Sequence, residues 1–182
     1  MARILLFLLL TLATQGPAAT PQPHKGEGNC KPSLREGVDG GKWQAGQTVT
    51  LSDIEAFGGL DKCFAADPIP DGVWARMQGK TYKANPYIKR DDLRHIRALH
   101  WDYDQKMHTG EMIVNRQIAD VVVRIFRQLF DARYPIQRML LPDVYDADDE
   151  RQMRDNNTSC FCYRTIAGGK KLSKHARGLA ID

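Results

Sequence analysis

A change of hydrophobic period within residues 93–135 constrains this chain more than any other feature. Ile96, Ala98 and His100 alternate with Arg97, Leu99 and Trp101, the period of two expected of a strand that starts near Leu93. Residues 102–110 carry Asp, Gly and Lys and predict a hairpin loop, and residues 111–114 predict the returning strand. The period then switches. Ile118, Val122, Ile125, Phe126 and Leu129 fall at i, i+4, i+7, i+8 and i+11, one face of a helix capped by Asn115. Arg116, Asp120, Arg124 and Arg127 occupy the remainder. Pro135 stops the helix, because it lacks an N–H and disfavours helical backbone at Tyr134. Residues 136–141, 158–164 and 179–181 read as further short strands. Antiparallel strands with helices laid against them predict an α+β fold.

The flanking segments read differently. Arg3, an apolar run over residues 4–10 and the small residues Gly16, Pro17, Ala18 and Ala19 predict a secretory signal over residues 1–19. No later segment is apolar enough to span a bilayer, so no stable membrane span is expected after signal cleavage. The expected location is the periplasm or the outside of the cell. Residues 20–63 form an N-terminal extension, and residues 64–182 form the main domain. Within 30–92, one helix is expected after Ser52, placed as an N-cap with Glu55 at the capping-box position. A second is expected around residues 72–78. Both belong to a stretch that wraps the domain rather than building its own core.

Composition supports a packed core, with 42% apolar and 26% charged residues. The net charge of +4 is small and evenly spread, which argues against a nucleic-acid partner. The acidic stretch 143–157 lacks Gly and the spacing of an EF-hand loop, and reads as a solvated loop or short helix. Export permits disulfides for Cys30, Cys63, Cys160 and Cys162, and Cys30 with Cys63 is the favoured pair. Connectivity does not follow from sequence. Cys160 and Cys162 point to opposite faces of an extended segment and fit core thiols better than metal ligands.

The chemistry concentrates in Ser173-Lys174-His175-Ala176-Arg177-Gly178-Leu179-Ala180-Ile181-Asp182, an S-x-H-x-x-G-x-A-x-D pattern. Gly178 permits a tight turn. In the extended segment beyond it, Ala180 and Asp182 share a face, and the small Ala180 leaves room beside the carboxylate. An imidazole and a carboxylate can then converge, a donor pair that suits zinc.

This pattern resembles the zinc D-alanyl-D-alanine carboxypeptidase and dipeptidase family, which includes vancomycin-resistance peptidases and phage L-alanyl-D-glutamate endopeptidases. Residues 88–94 (IKRDDLR), 108–115 (HTGEMIVN) and 156–164 (NNTSCFCYR) look like its carboxypeptidase-like branch. The resemblance covers roughly residues 64–182. It implies a hedgehog/DD-peptidase-like fold, with His175 and Asp182 as Zn2+ ligands. It also implies Arg164 as the group that stabilises the oxyanion, and Ser173 as a substrate-contacting hydroxyl. The implied substrates are peptidoglycan stem peptides or a D-Ala-D-Ala terminus, with no residue separating carboxypeptidase from endopeptidase. Family members draw a third zinc ligand, a His, and a carboxylate base from beyond this motif, so the sequence is expected to continue past Asp182. His95, His100 and His108 fit hairpin or core roles better than that third position. The alternative is an exported zinc-containing binding module without catalysis, or an inactive fragment.

Overall fold

The computed structural model describes residues 42–166, 169 and 171–182. The signal segment 1–19, the extension as far as residue 41, and Cys30 with its pairing to Cys63 lie outside the described residues. Cys63 itself is fully buried, and its thiol lies 3.6 Å from the Gly59 carbonyl.

The hairpin organises the molecule. Strand β2 (Leu93–Trp101) pairs antiparallel with β3 (Met107–Asn115), in register from Leu93 opposite Asn115 to Trp101 opposite Met107. Asp102 closes the turn, its Oδ1 accepting the N–H groups of Asp104 at 2.9 Å and Lys106 at 2.8 Å. The turn is therefore shorter than the predicted loop, and residues 107–110 belong to the strand. Their alternation is hidden because β3 is covered on both faces, so its inward and outward residues are equally buried. Gly110 serves packing there. A Cβ at that position would lie 2.2 Å from Met139 Cε.

On the other edge of β2, β1 (Ala65–Asp67) pairs antiparallel, giving a sheet of order β1-β2-β3. One face buries Ile96, Ala98, Met112 and Val114 under helix α3 (Ala119–Asp131). Val49, Ile54 and Cys63 join the same core, so residues 42–63 pack onto the domain. The opposite face buries Leu93 and Ile113 against Ile69, Val73 and Met77, together with Leu141 and Phe161. The architecture is α+β. Among the described residues, no helix is long and apolar enough to cross a membrane.

Local details differ from expectation in instructive ways. Helix α1 (Leu51–Ala56) is capped by Thr50, not Ser52: Thr50 Oγ1 accepts Asp53 N at 3.3 Å and Asp53 Oδ2 accepts Thr50 N at 2.7 Å. Ser52 already lies inside the helix. Helix α2 (Asp71–Met77) stands where the second helix was expected. Helix α3 begins after Ile118, and Asn115 instead ends β3. Its buried face is Ala119, Val122, Phe126 and Phe130, whereas Ile125 is 45% exposed. At roughly 100° per residue, Ile125 sits a quarter-turn and more off that face. Residues 136–141, 158–164 and 179–181 are not strands of the sheet. Their hydrogen bonds go singly to different partners: Ile136 N to Trp101 O, Thr158 N to Arg138 O, Phe161 N to Ile113 O and Leu179 N to Lys174 O. Without a shared partner strand, no ladder forms.

Candidate functional site

The terminal motif folds as a short helical turn followed by an extended tail. Ser173 Oγ accepts the His175 N–H at 3.2 Å, opening a single 3-10 turn over His175–Arg177. Gly178 ends it in the left-handed region, with φ 64°. A Cβ at residue 178 would fall 2.7 Å from Asn115 N, so both the dihedral and the close approach to β3 require glycine. The tail is tied back by Asp182 N donating to Ser159 O at 3.0 Å, and the turn by Cys162 N donating to His175 O at 3.2 Å.

This path brings His175 Nε2 to 3.2 Å from Asp182 Oδ1. The imidazole is 16% exposed and the carboxylate 58% exposed, so the pair opens to solvent from the carboxylate side. The other ring nitrogen decides the chemistry. His175 Nδ1 lies 2.9 Å from the Cys160 carbonyl, which only accepts, so Nδ1 carries the hydrogen. In the neutral ring Nε2 is then a lone pair, facing a second acceptor. A shared proton or a cation relieves that contact. A ring N–H donated to a backbone carbonyl is also the usual support of a metal-bound histidine. Ligands held about 2.0–2.1 Å from a tetrahedral zinc lie about 3.3 Å from one another, and the observed separation fits. Among the described residues, no group of three or more His, Cys, Asp or Glu gathers as a complete metal set. The pair fits zinc as two of its ligands.

Arg164 and Ser173 are linked through the backbone, Ser173 N donating to Arg164 O at 3.1 Å. The Arg164 guanidinium, however, pairs with Asp149 Oδ2 at 2.8 Å, both side chains being partly exposed. The Ser173 hydroxyl accepts within its own turn. Two predicted site residues, His175 and Asp182, therefore meet directly, while Arg164 joins their loop by its main chain only.

The remaining candidates are accounted for. Burial pushes the Cys160 thiol up to about 12, with the Asp182 charge adding to the effect. Burial likewise raises Cys162, with Asp149 adding and Arg164 opposing. Both are core thiols, since metal binding needs thiolate. His95 Nε2 contacts Glu111 Oε2 at 2.8 Å and His108 Nε2 contacts Asp102 Oδ2 at 2.8 Å. His100 Nδ1 contacts the Ile136 carbonyl at 2.8 Å. All three sit in the hairpin. The acidic stretch is consumed by structure: Asp148 caps α4 (Asp149–Arg154), Asp146 pairs with Lys80, and the buried Asp143 pairs with Arg76.

Sequence reasoning missed three contributors. Asn115 bonds the Arg177–Gly178 turn, Asp149 holds Arg164, and Arg76 bridges Glu111 and Asp143 at 3.1 Å each. Asn115 closes the 108–115 stretch that carries the resemblance, but its local sequence reads as a helix cap. The three ion pairs join residues distant in sequence and leave no local signal. No family model matches the chain, and no curated protein or solved structure matches it.

Proposed function

We propose that this protein is a zinc-dependent peptidase of the exported, cell-wall type, acting on D-amino-acid-containing peptides of peptidoglycan. The observation that carries the reading is the 3.2 Å approach of His175 Nε2 to Asp182 Oδ1 within the S-x-H-x-x-G-x-A-x-D motif, with Nδ1 held by the Cys160 carbonyl. The likeness of that motif to the D-alanyl-D-alanine peptidases supports the substrate class, a stem peptide or D-Ala-D-Ala terminus. The predicted signal segment supports export to the periplasm or beyond.

His175 and Asp182 hold the metal on this reading. Zinc, when bound, supplies Lewis acidity toward a peptide carbonyl and lowers the pKa of water. The chain's own residues do the rest. The Cys160 carbonyl keeps the His175 lone pair pointing outward. Arg164 donates to the negative charge that develops on the peptide oxygen. Its pairing with Asp149 is partly exposed, and such pairs contribute about 0–1 kcal/mol, so substrate can draw the guanidinium away.

A second reading, an exported zinc-containing binding module without catalysis, is favoured by one observation: Arg164 is paired with Asp149 rather than with the His175–Asp182 pair. Zinc content and hydrolysis of D-Ala-D-Ala and muropeptides separate the two in the full-length protein, beside Arg164→Ala. The peptidase reading expects stoichiometric zinc, chelator-sensitive cleavage, and a variant that keeps metal but turns over roughly 100–1,000-fold more slowly. Zinc without cleavage across a peptidoglycan panel transfers the conclusion to the binding module. Absence of zinc defeats both.

A further inference from the structure

We propose that Asn115 is a positioning residue for the His175–Asp182 pair. The inference takes its functional meaning from the zinc reading above, but its geometry stands apart from it.

Asn115 is the last residue of β3 and is 7% exposed. Every polar group it owns is engaged. Its carboxamide Nδ2 donates to Arg177 O at 3.0 Å, and its backbone N–H donates to Gly178 O at 2.8 Å. Its Oδ1 accepts Gln117 N at 3.0 Å, and its carbonyl accepts Ile118 N at 3.1 Å. Two donors therefore grip the turn that separates His175 from Asp182, while two acceptors anchor the start of α3. Asp offers no side-chain donor, and Gln places the amide one carbon farther out. The contact is also close: the Gly178 Cα packs onto the Asn115 backbone so tightly that no side chain fits there.

The consequence falls on the metal pair. His175 lies two residues before the gripped Arg177 carbonyl, and Asp182 four residues after Gly178. The separation of their side chains depends on the path of the backbone between them. The hydrogen bonds that tie down the ends, Cys162 N to His175 O and Asp182 N to Ser159 O, fix those ends to residues 159–162. Asn115 alone ties the middle to the sheet among the side-chain hydrogen bonds of the described residues. With the side-chain half of that grip removed, a single backbone hydrogen bond from Asn115 N to Gly178 O is left to hold the turn on β3, and the ring no longer faces the carboxylate in one orientation.

The test uses the full-length protein with Asn115→Ala, the isosteric Asn115→Asp, and Phe64→Leu as a control in the α3-side core. Two quantities are read: the zinc dissociation constant, and the imidazole 15N shifts of His175 without metal. Both Asn115 variants are expected to bind zinc 10–100-fold more weakly, as second-layer partners do when removed. Their His175 shifts are expected to move from one tautomer toward a mixture. Phe64→Leu is expected to lose stability yet change neither quantity. Should the alanine variant fail to fold, Asn115→Asp carries the test. Asn115 variants that keep wild-type zinc affinity and a single His175 tautomer, whatever their stability, overturn the proposal. A wild-type protein that binds no zinc defeats the peptidase reading instead. The imidazole shifts then decide the role of Asn115 by themselves: a moved tautomer sustains it and an unmoved one ends it.

Discussion

The Nδ1 of His175 is held at 2.9 Å by the Cys160 carbonyl while its Nε2 stands 3.2 Å from Asp182 Oδ1. One ring thus commits its Nδ1 hydrogen to the protein interior and turns Nε2 toward a solvent-facing carboxylate. Asp182→Asn tests what that arrangement is for. The amide keeps the size of the side chain and removes its charge. Because Asp182 is 58% exposed, folding stability is expected to change by less than about 1 kcal/mol. Zinc affinity, measured by competition with a chromophoric chelator, is expected to fall by more than about 100-fold, a larger loss than for an outer partner. Equal affinity in the variant would remove Asp182 from the ligand set.

Gly178→Ala combines two penalties. The left-handed backbone costs an L-residue about 1–2 kcal/mol, and the new Cβ meets Asn115 N at 2.7 Å. The expected loss is at least about 2 kcal/mol in urea unfolding. Gly79, which has a positive φ of 75° and nothing within 4 Å of a built Cβ, gives the comparison. Gly79→Ala carries the positive-φ penalty without the clash and is expected to lose less. A ranking in the opposite order would show that the turn rides free of β3.

How much of this was legible follows from the range of each interaction. The hairpin and α3 are encoded in local period, and both stand where residues 93–135 put them, with boundaries shifted. The start of β3 was hidden because burial on both faces erases alternation around His108, Thr109 and Gly110. Spacing alone draws Ile125 into the core and passes over Phe130, the buried residue one turn beyond Phe126. The convergence of His175 with Asp182 could be read from Gly178 and Ala180, since turn and alternation are local. Asn115 could not: the same residue type caps helices and pins turns, and only the fold shows which. The Arg164–Asp149 pair belongs to the same category. An arginine's partner is chosen across space, and the stretch holding Asp149 offers several carboxylates.

Acid should weaken the fold through His100. Burial, with the neighbouring His108 adding to it, lowers the His100 pKa from its ordinary 6.5 to about 4. The folded state therefore holds His100 neutral while the unfolded chain accepts a proton. Above pH 6.5 this makes no difference. Between pH 6.5 and 4 the unfolded state binds more protons, and stability falls as pH falls, by about 3 kcal/mol across the window from this group. Denaturant midpoints collected from pH 7.5 to 4 should show a steeper acid loss in the wild type than in His100→Phe. Parallel curves would mean that His100 protonates in the folded state without cost.

Arg76 supplies the last test, because it joins α2 to the sheet by charge. Its Nη2 contacts Glu111 Oε1 and its Nε contacts Asp143 Oδ2, each at 3.1 Å, and Glu111 also binds His95. Although burial disfavours the charge, Glu111 and then Asp143 raise the Arg76 pKa above its ordinary value. The guanidinium is 49% exposed, but Glu111 and Asp143 are 10% and 4% exposed. Arg76→Met keeps the apolar stem and strands two buried carboxylates. A fully buried pair broken this way loses about 3–5 kcal/mol, and the half-exposed arginine reduces the expected loss to about 1–3 kcal/mol. Because the cost lies in the stranded charge rather than in a lost attraction, adding Glu111→Gln to Arg76→Met should return part of it. Urea unfolding of the four proteins of this cycle measures the coupling directly. If the double variant is as unstable as the sum of the single ones, Arg76 holds α2 by packing and not through the charge on Glu111.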